Sequence, residues 1–149
     1  MAKNLMPSEP MQIADVLGLA KASTFDDLML ADNIARGVPV RSVDRVIGFI
    51  DPTGLTIKPT HFVPKSTFQR RKADDGLLSP AKSGKLWQVA RVFVEARRHY
   101  HDDEQARAFL LRAHPLLDGR RPLDLASETA AGADLVLKVL GEAEAGVAV

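Results

Sequence analysis

The 149-residue chain contains no cysteine, which excludes disulfide staples, thiolate metal sites and cysteine catalysis and suits a reducing cytoplasm. Aromatic residues are scarce at 5%, so the core must be built mainly from Leu, Val and Ala, as in small helical proteins. No apolar run approaches the roughly 20 residues needed to span a bilayer. The opening "MAKNLMPSEPMQIADV" has one Lys and no long apolar block, and it does not read as a signal peptide. Strand-length alternation, internal repeats and low-complexity tracts are also missing. These absences together predict a soluble, cytoplasmic, all-α protein.

The sequence is equally poor in catalytic patterns. It has no Gly-rich phosphate loop and no Ser–His–Asp arrangement. Asp26–Asp27 and Asp74–Asp75 are neighbours that point apart on a helix, so neither is an acid–base pair. In "HYHDDE", His99, His101, Asp102 and Asp103 lie close together, with His114 downstream. Alternating His would ligate a metal in an extended segment. Here one helix ends and the next begins, so a His at a helix C-terminus and an Asp N-cap account for them. No enzyme, cofactor or metal is expected.

What is present is an ordinary globular composition, 46% hydrophobic and 26% charged, with an uneven distribution of charge. Residues 1–60 carry six basic and seven acidic groups, residues 61–100 nine and three, and residues 101–149 five and nine. A basic middle with an acidic tail favours a phosphate-rich partner, although a solvated basic helix face gives the same count.

Helical periodicity and end signals predict about seven helices. A loose arm covers the first ten residues, and a short helix spans Ile13 to Leu19. A second helix runs from Thr24, as N-cap, to Arg36, and Gly37 ends it. Pro39 reads as the first residue of a third, whose Val43, Val46, Ile47 and Ile50 share a face. "DPTG" at 51–54 is a turn. Pro64 opens a helix through Ala73. Ser79 caps another that begins at Pro80, with Leu86, Ala90, Phe93 and Val94 as its apolar stripe. Asp102 or Asp103 caps a helix whose Ala106, Phe109, Leu110 and Ala113 face inward. Pro122 starts a short helical turn, and Ser127 or Thr129 caps the last helix. A seam near Gly76 to Ser79 divides the chain into 1–78 and 79–149.

Two stretches carry function. In "VPKSTFQRRKADDG", Lys65, Ser66 and Thr67 sit in the first turn of a helix, where side chains enter a major groove and backbone N–H groups favour phosphate. Gln69 matches adenine, Arg70 and Arg71 match guanine or phosphate, and Lys72 extends the basic face. Exposed basic helices are also common in proteins that never meet DNA.

The last helix has the opposite character. At about 100° per residue, Gly132, Ala133, Leu135, Val136, Leu137, Val139, Leu140 and Ala143 cover an arc of roughly 200°, where a helix resting on its own domain needs about 100°. The excess suits either a helix buried on several sides by its own protein or a second partner. After it, Gly146 breaks the helix, and Val147, Ala148 and Val149 form an apolar tip.

These features resemble a known family. "GRRPLDLASETAAGADLVLKVLGEAEAGV" looks like the C-terminal toxin-binding domain of the Xre/MbcA/ParS antitoxins, with its Pro-Leu start, a Thr then a Gly, spaced Val and Leu, and a late Gly. "VPKSTFQRRKADDGLLSPAKSGKLWQVARVF" looks like the preceding part of the family's helix-turn-helix domain, so the likeness spans about residues 40 to 149. The resemblance implies an all-α chain with an N-terminal helix-turn-helix, Xre-like domain for DNA binding and dimerisation, followed by a small C-terminal helical toxin-binding domain. It implies an antitoxin whose partner is a RES-domain toxin that degrades NAD or transfers ADP-ribose. Gly146, Val147, Ala148 and Val149 would cover the toxin's cleft, with Leu135, Val136, Val139 and Leu140 as supporting surface. A homodimer and repression of its own operon are further implications.

One departure stands out. A regular helix should precede the recognition helix, and "TIKPTHF" occupies that place. A proline inside a helix costs about 3 kcal/mol, so DNA binding is weakened or lost unless Pro59 opens a short helix of its own. Two other classes fit the residues: a transcriptional regulator whose C-terminal domain only dimerises, and a structural adaptor.

Overall fold

A computed structural model describes residues 7–19 and 24–144, and among them the chain is all-α, with eight α-helices and two 3-10 turns. Helix α1 spans Glu9–Leu17. It starts earlier than expected because Ser8, not the residues after Met11, supplies the N-cap, accepting from the Met11 N–H, and Pro10 sits in the first turn where its missing N–H costs nothing. Gly18, at φ 69°, closes it in a left-handed cap.

Helix α2, Asp27–Arg36, is capped by Asp26 rather than Thr24; its Oδ1 accepts the Met29 N–H at 2.9 Å. Helix α3, Arg41–Ile50, buries Val43, Val46, Ile47 and Ile50 as the spacing predicts. Pro39 lies outside it. The segment 38–40 instead pairs with 76–78, through Leu78 N–H to Val38 O at 2.8 Å and Val40 N–H to Gly76 O at 3.0 Å. An extended residue without an N–H fits such an edge better than a helix start.

Beyond the "DPTG" turn, Pro59 opens a 3-10 turn, Pro59–His61, and Pro64 caps α4, Lys65–Ala73. Ser79 then caps α5, Pro80–Tyr100, accepting from the Lys82 N–H, with Pro80 in the first turn as expected. Helix α6, Asp103–Leu111, is capped by Asp102. Ala113, expected on its inner face, is exposed because Arg112 turns extended and ends the helix. A second 3-10 turn, Pro115–Leu117, leads to α7, Pro122–Glu128, and α8, Ala130–Glu144.

Helix α5 is the axis of the molecule. It contacts α1, α2, α3, α6, α7 and α8, and buried residues from all of these form one continuous cluster. Val92, Phe93 and Val94 are all fully buried, so neighbours cover most of the helix's circumference there. The N-terminal segment also reaches it directly, with the Val38 N–H bonded to the buried Ser83 Oγ at 2.9 Å. The division expected between residues 78 and 79 falls at the point where the 76–78 pairing passes into the Ser79 cap, and the buried cluster runs across it.

Candidate functional site

The "DPTG" turn is organised around one buried carboxylate. Asp51 accepts from Thr53 Oγ1 at 2.7 Å and from the Thr56 and Ile57 N–H groups at 2.7 and 2.9 Å. The Thr53 hydroxyl above all, then the two backbone donors and Lys58, hold its pKa below the usual aspartate value against the opposing effect of burial. This anchored turn delivers the chain to Pro59, and buried Phe62 and Val63 fix the entry to α4.

Helix α4 has no buried residue, and Phe68 is the half-buried contact that seats it on the core. Lys65, Ser66, Gln69, Arg70, Arg71 and Lys72 are exposed, and Thr67 is half-buried. Lys72 pairs with Asp44 of α3 at 2.7 Å and lies over the Phe68 ring, so it braces α4 while remaining at the surface. The residues expected to meet nucleic acid therefore line one exposed basic helix, reached through a short turn that begins at Pro59.

At the other end, α7 and α8 meet at close range. The Thr129 Oγ1 accepts the Gly132 N–H at 2.8 Å and caps α8. A Cβ on Gly132 would lie 2.1 Å from the Leu125 carbonyl oxygen, so this glycine is needed for contact with the chain's own α7. The wide apolar arc of α8 is largely consumed in the same way. Ala133, Val136, Val139 and Leu140 are buried against α5 and α7, and Leu137 is half-buried. Of the four residues expected to form a supporting surface, Val136, Val139 and Leu140 are thus packed inside the chain. Leu135, 42% exposed, is the one that faces solvent, at the border of the arc. Gly146, Val147, Ala148 and Val149 lie outside the described residues.

Sequence reasoning did not foresee the contacts that join these regions. Arg121 makes a bidentate pair with Asp124 at 2.9 and 2.8 Å and approaches His61 of the first 3-10 turn at 3.5 Å. The Arg121 hydrogen bonds lower the Asp124 pKa, and Asp124 in turn raises that of Arg121. Arg107 donates to the Phe49 carbonyl at the end of α3 at 2.7 Å. Spacing cannot reveal pairs 58 and 60 residues apart. Among the described residues no group of His, Asp or Glu is arranged to hold a metal, and Asp102 is occupied in capping α6. No helix among them is long and apolar enough to cross a membrane.

No curated protein matches the chain. The sequence profile of the antitoxin Xre/MbcA/ParS C-terminal toxin-binding domain matches residues 95–146, roughly a third of the chain, from the last turns of α5 through α8. The matched segment contains α6, α7, the Gly132 contact and the exposed Leu135. Over residues 95–146, the chain is therefore similar to the toxin-binding domain of the Xre/MbcA/ParS antitoxins.

Proposed function

We propose that this protein neutralises a RES-domain toxin that degrades NAD or transfers ADP-ribose, acting in the cytoplasm without catalysing a reaction itself. The segment after α8, Gly146 to Val149, covers the toxin's active-site cleft, while the solvent-facing border of α8 around Leu135 supplies adjoining contact. The observation that carries this reading is the toxin-binding domain match at residues 95–146, whose final helix leads directly into the apolar tip. Val136, Val139 and Leu140 are committed to the core, so this reading assigns the contacts to the tip and to exposed Leu135.

The test is NAD consumption by the toxin in the presence of saturating 149-residue chain or the same chain lacking residues 146–149. The truncated form should still bind the toxin but leave it active. Full inhibition by the truncated form would refute the role of the tip.

A second activity rests on a separate observation. Helix α4 exposes Lys65, Gln69, Arg70 and Arg71 and buries nothing, and Pro59 opens a turn instead of interrupting a helix. This supports a helix-turn-helix role for residues 1–78, in which a homodimer binds and represses its own operator, with residues 79–149 serving the toxin. Promoter affinity that survives neutralisation of Lys65, Arg70, Arg71 and Lys72 would refute it.

A further inference from the structure

A cleft of about 360 Å³ opens where the end of α6 meets the end of α5 and the second 3-10 turn. Its eight lining residues fall between positions 100 and 115, all of them described and all within the segment that matches the toxin-binding domain. Ala108, Phe109 and Pro115 give it apolar walls, and the Tyr100 ring lies 6.2 Å from that of Phe109. Leu116, 48% exposed, follows Pro115 at the surface.

His114 is fixed in this wall. Its N–H donates to the Arg120 carbonyl at 3.1 Å, and its Nδ1 accepts the Leu116 N–H at 3.2 Å. Accepting at Nδ1 puts the ring proton on Nε2. The residue is only 9% exposed, and no bond to that Nε2–H is made among the described residues. Buried donors are ordinarily paired, and the cleft is the space from which an acceptor reaches this one.

Arg112 supplies the charge. It is exposed, it lines the cleft, and no carboxylate pairs with it among the described residues. The backbone is extended at both Arg112 (φ −103°, ψ 145°) and His114 (φ −121°, ψ 128°), so these alternate side chains leave the chain on the same side. No acidic side chain lines the cleft. The end of α6 contributes about half a negative charge, while the end of α5 is offset by its own Arg97 and Arg98. The full charge of Arg112 therefore sets the sign. Burial raises the Tyr100 pKa, so its hydroxyl keeps its proton and is a further donor.

We propose that this cleft receives an aspartate or glutamate side chain of the toxin, with its carboxylate between the Arg112 guanidinium and the His114 Nε2–H and its apolar neighbour against Phe109. The inference rests on the reading that residues 95–146 bind a toxin, and it adds a contact separate from the tip.

Two measurements test it. The first needs no toxin: phenylacetate is titrated into the 149-residue chain and followed by NMR. The His114 and Tyr100 ring signals should move saturably, and neutral phenylacetamide should bind at least about ten-fold more weakly. Arg112→Gln should remove that difference. His114→Asn keeps an acceptor for the Leu116 N–H but loses the imidazole donor, so it should weaken phenylacetate binding without unfolding the loop. The second is calorimetry with the toxin, in which Arg112→Glu should weaken the complex at least about ten-fold. Its Tm should match the wild type, because the side chain is exposed and unpaired. The absence of a saturable shift, or equal binding of acid and amide, would overturn the proposal. So would toxin affinity that Arg112→Glu leaves unchanged. A wild-type chain that binds phenylacetate but no RES-domain toxin would instead refute the proposed function, and with it the occupant assigned to this cleft.

Discussion

Two glycines of α8 should respond to the same substitution with opposite signs. Alanine is about 1 kcal/mol better than glycine inside a helix, so a Gly→Ala change with room for the methyl should stabilise the protein. Gly141 has that room, with nothing within 4 Å of a built Cβ. At Gly132 the Cβ would fall 2.1 Å from the Leu125 carbonyl oxygen and 2.9 Å from its carbon, both backbone atoms of α7. Ordinary contact demands a separation more than an ångström larger, so α7 and α8 must move apart along a seam that includes Leu125, Ala126, Ala133 and Val136. Overpacking of a fitted core costs about 1–3 kcal/mol, and loosening the neighbouring packing adds to it. After subtracting the helix-propensity gain, Gly132→Ala should destabilise by about 1–2 kcal/mol, while Gly141→Ala should stabilise by about 0.5–1 kcal/mol. For a chain of this size, 1 kcal/mol moves Tm by about 2–4 °C. Thermal unfolding followed by circular dichroism should therefore place the two variants on opposite sides of the wild type. An unchanged or higher Tm for Gly132→Ala would show that α7 and α8 do not meet as described.

Leu135 and Leu140 should separate binding from folding. Leu135→Asp should weaken the toxin complex about ten-fold, read by calorimetry, with little change in Tm, whereas Leu140→Ala should cost about 2–5 kcal/mol of stability. Neutralising Lys65, Arg70, Arg71 and Lys72 should flatten the salt dependence of promoter binding by about 0.9 in the log–log slope for each phosphate that is no longer neutralised. It should leave Tm nearly unchanged, because the Lys72–Asp44 pair is exposed. Asp51 and Asp124 have folded-state pKa values below their unfolded ones, so the stability they confer is present above the unfolded value near 4. It is lost as pH falls through the folded values, and urea midpoints should drop steeply below pH ~4. Asp51→Asn should make that loss shallower while lowering stability at neutral pH.

Most helix ends were legible where a local signal created them, although Asp26 rather than Thr24 caps α2 and Ser8 starts α1 early. Ser79 with Pro80, Asp102, Gly37 and Thr129 all act at the ends their chemistry suggests, because a cap is settled within four residues. The larger errors arose where the deciding partner was distant. Pro39 reads as a helix start until Leu77 is found beside it. The broad apolar arc of α8 looks like surplus until α5 and α7 occupy it, which the sequence of α8 alone does not encode. The basic helix was legible because exposure leaves composition as its main feature. The arginine struts Arg107 and Arg121 depend on tertiary approach and left no pattern to read.

The near-complete burial of the middle of α5 bears on how the protein tolerates change over generations. From Val89 to Ala96, six of eight positions have no exposed surface, and the other two, Arg91 and Glu95, are only partly open. Most helices keep a strip on which substitutions drift harmlessly, but this stretch has almost none. A deep mutational scan should show it as an unbroken band of intolerance, flanked by permissive positions in α4 and on the outer face of α2. Under the proposed function, variation that retunes partners is left to α4, to the outer border of α8 and to the tip.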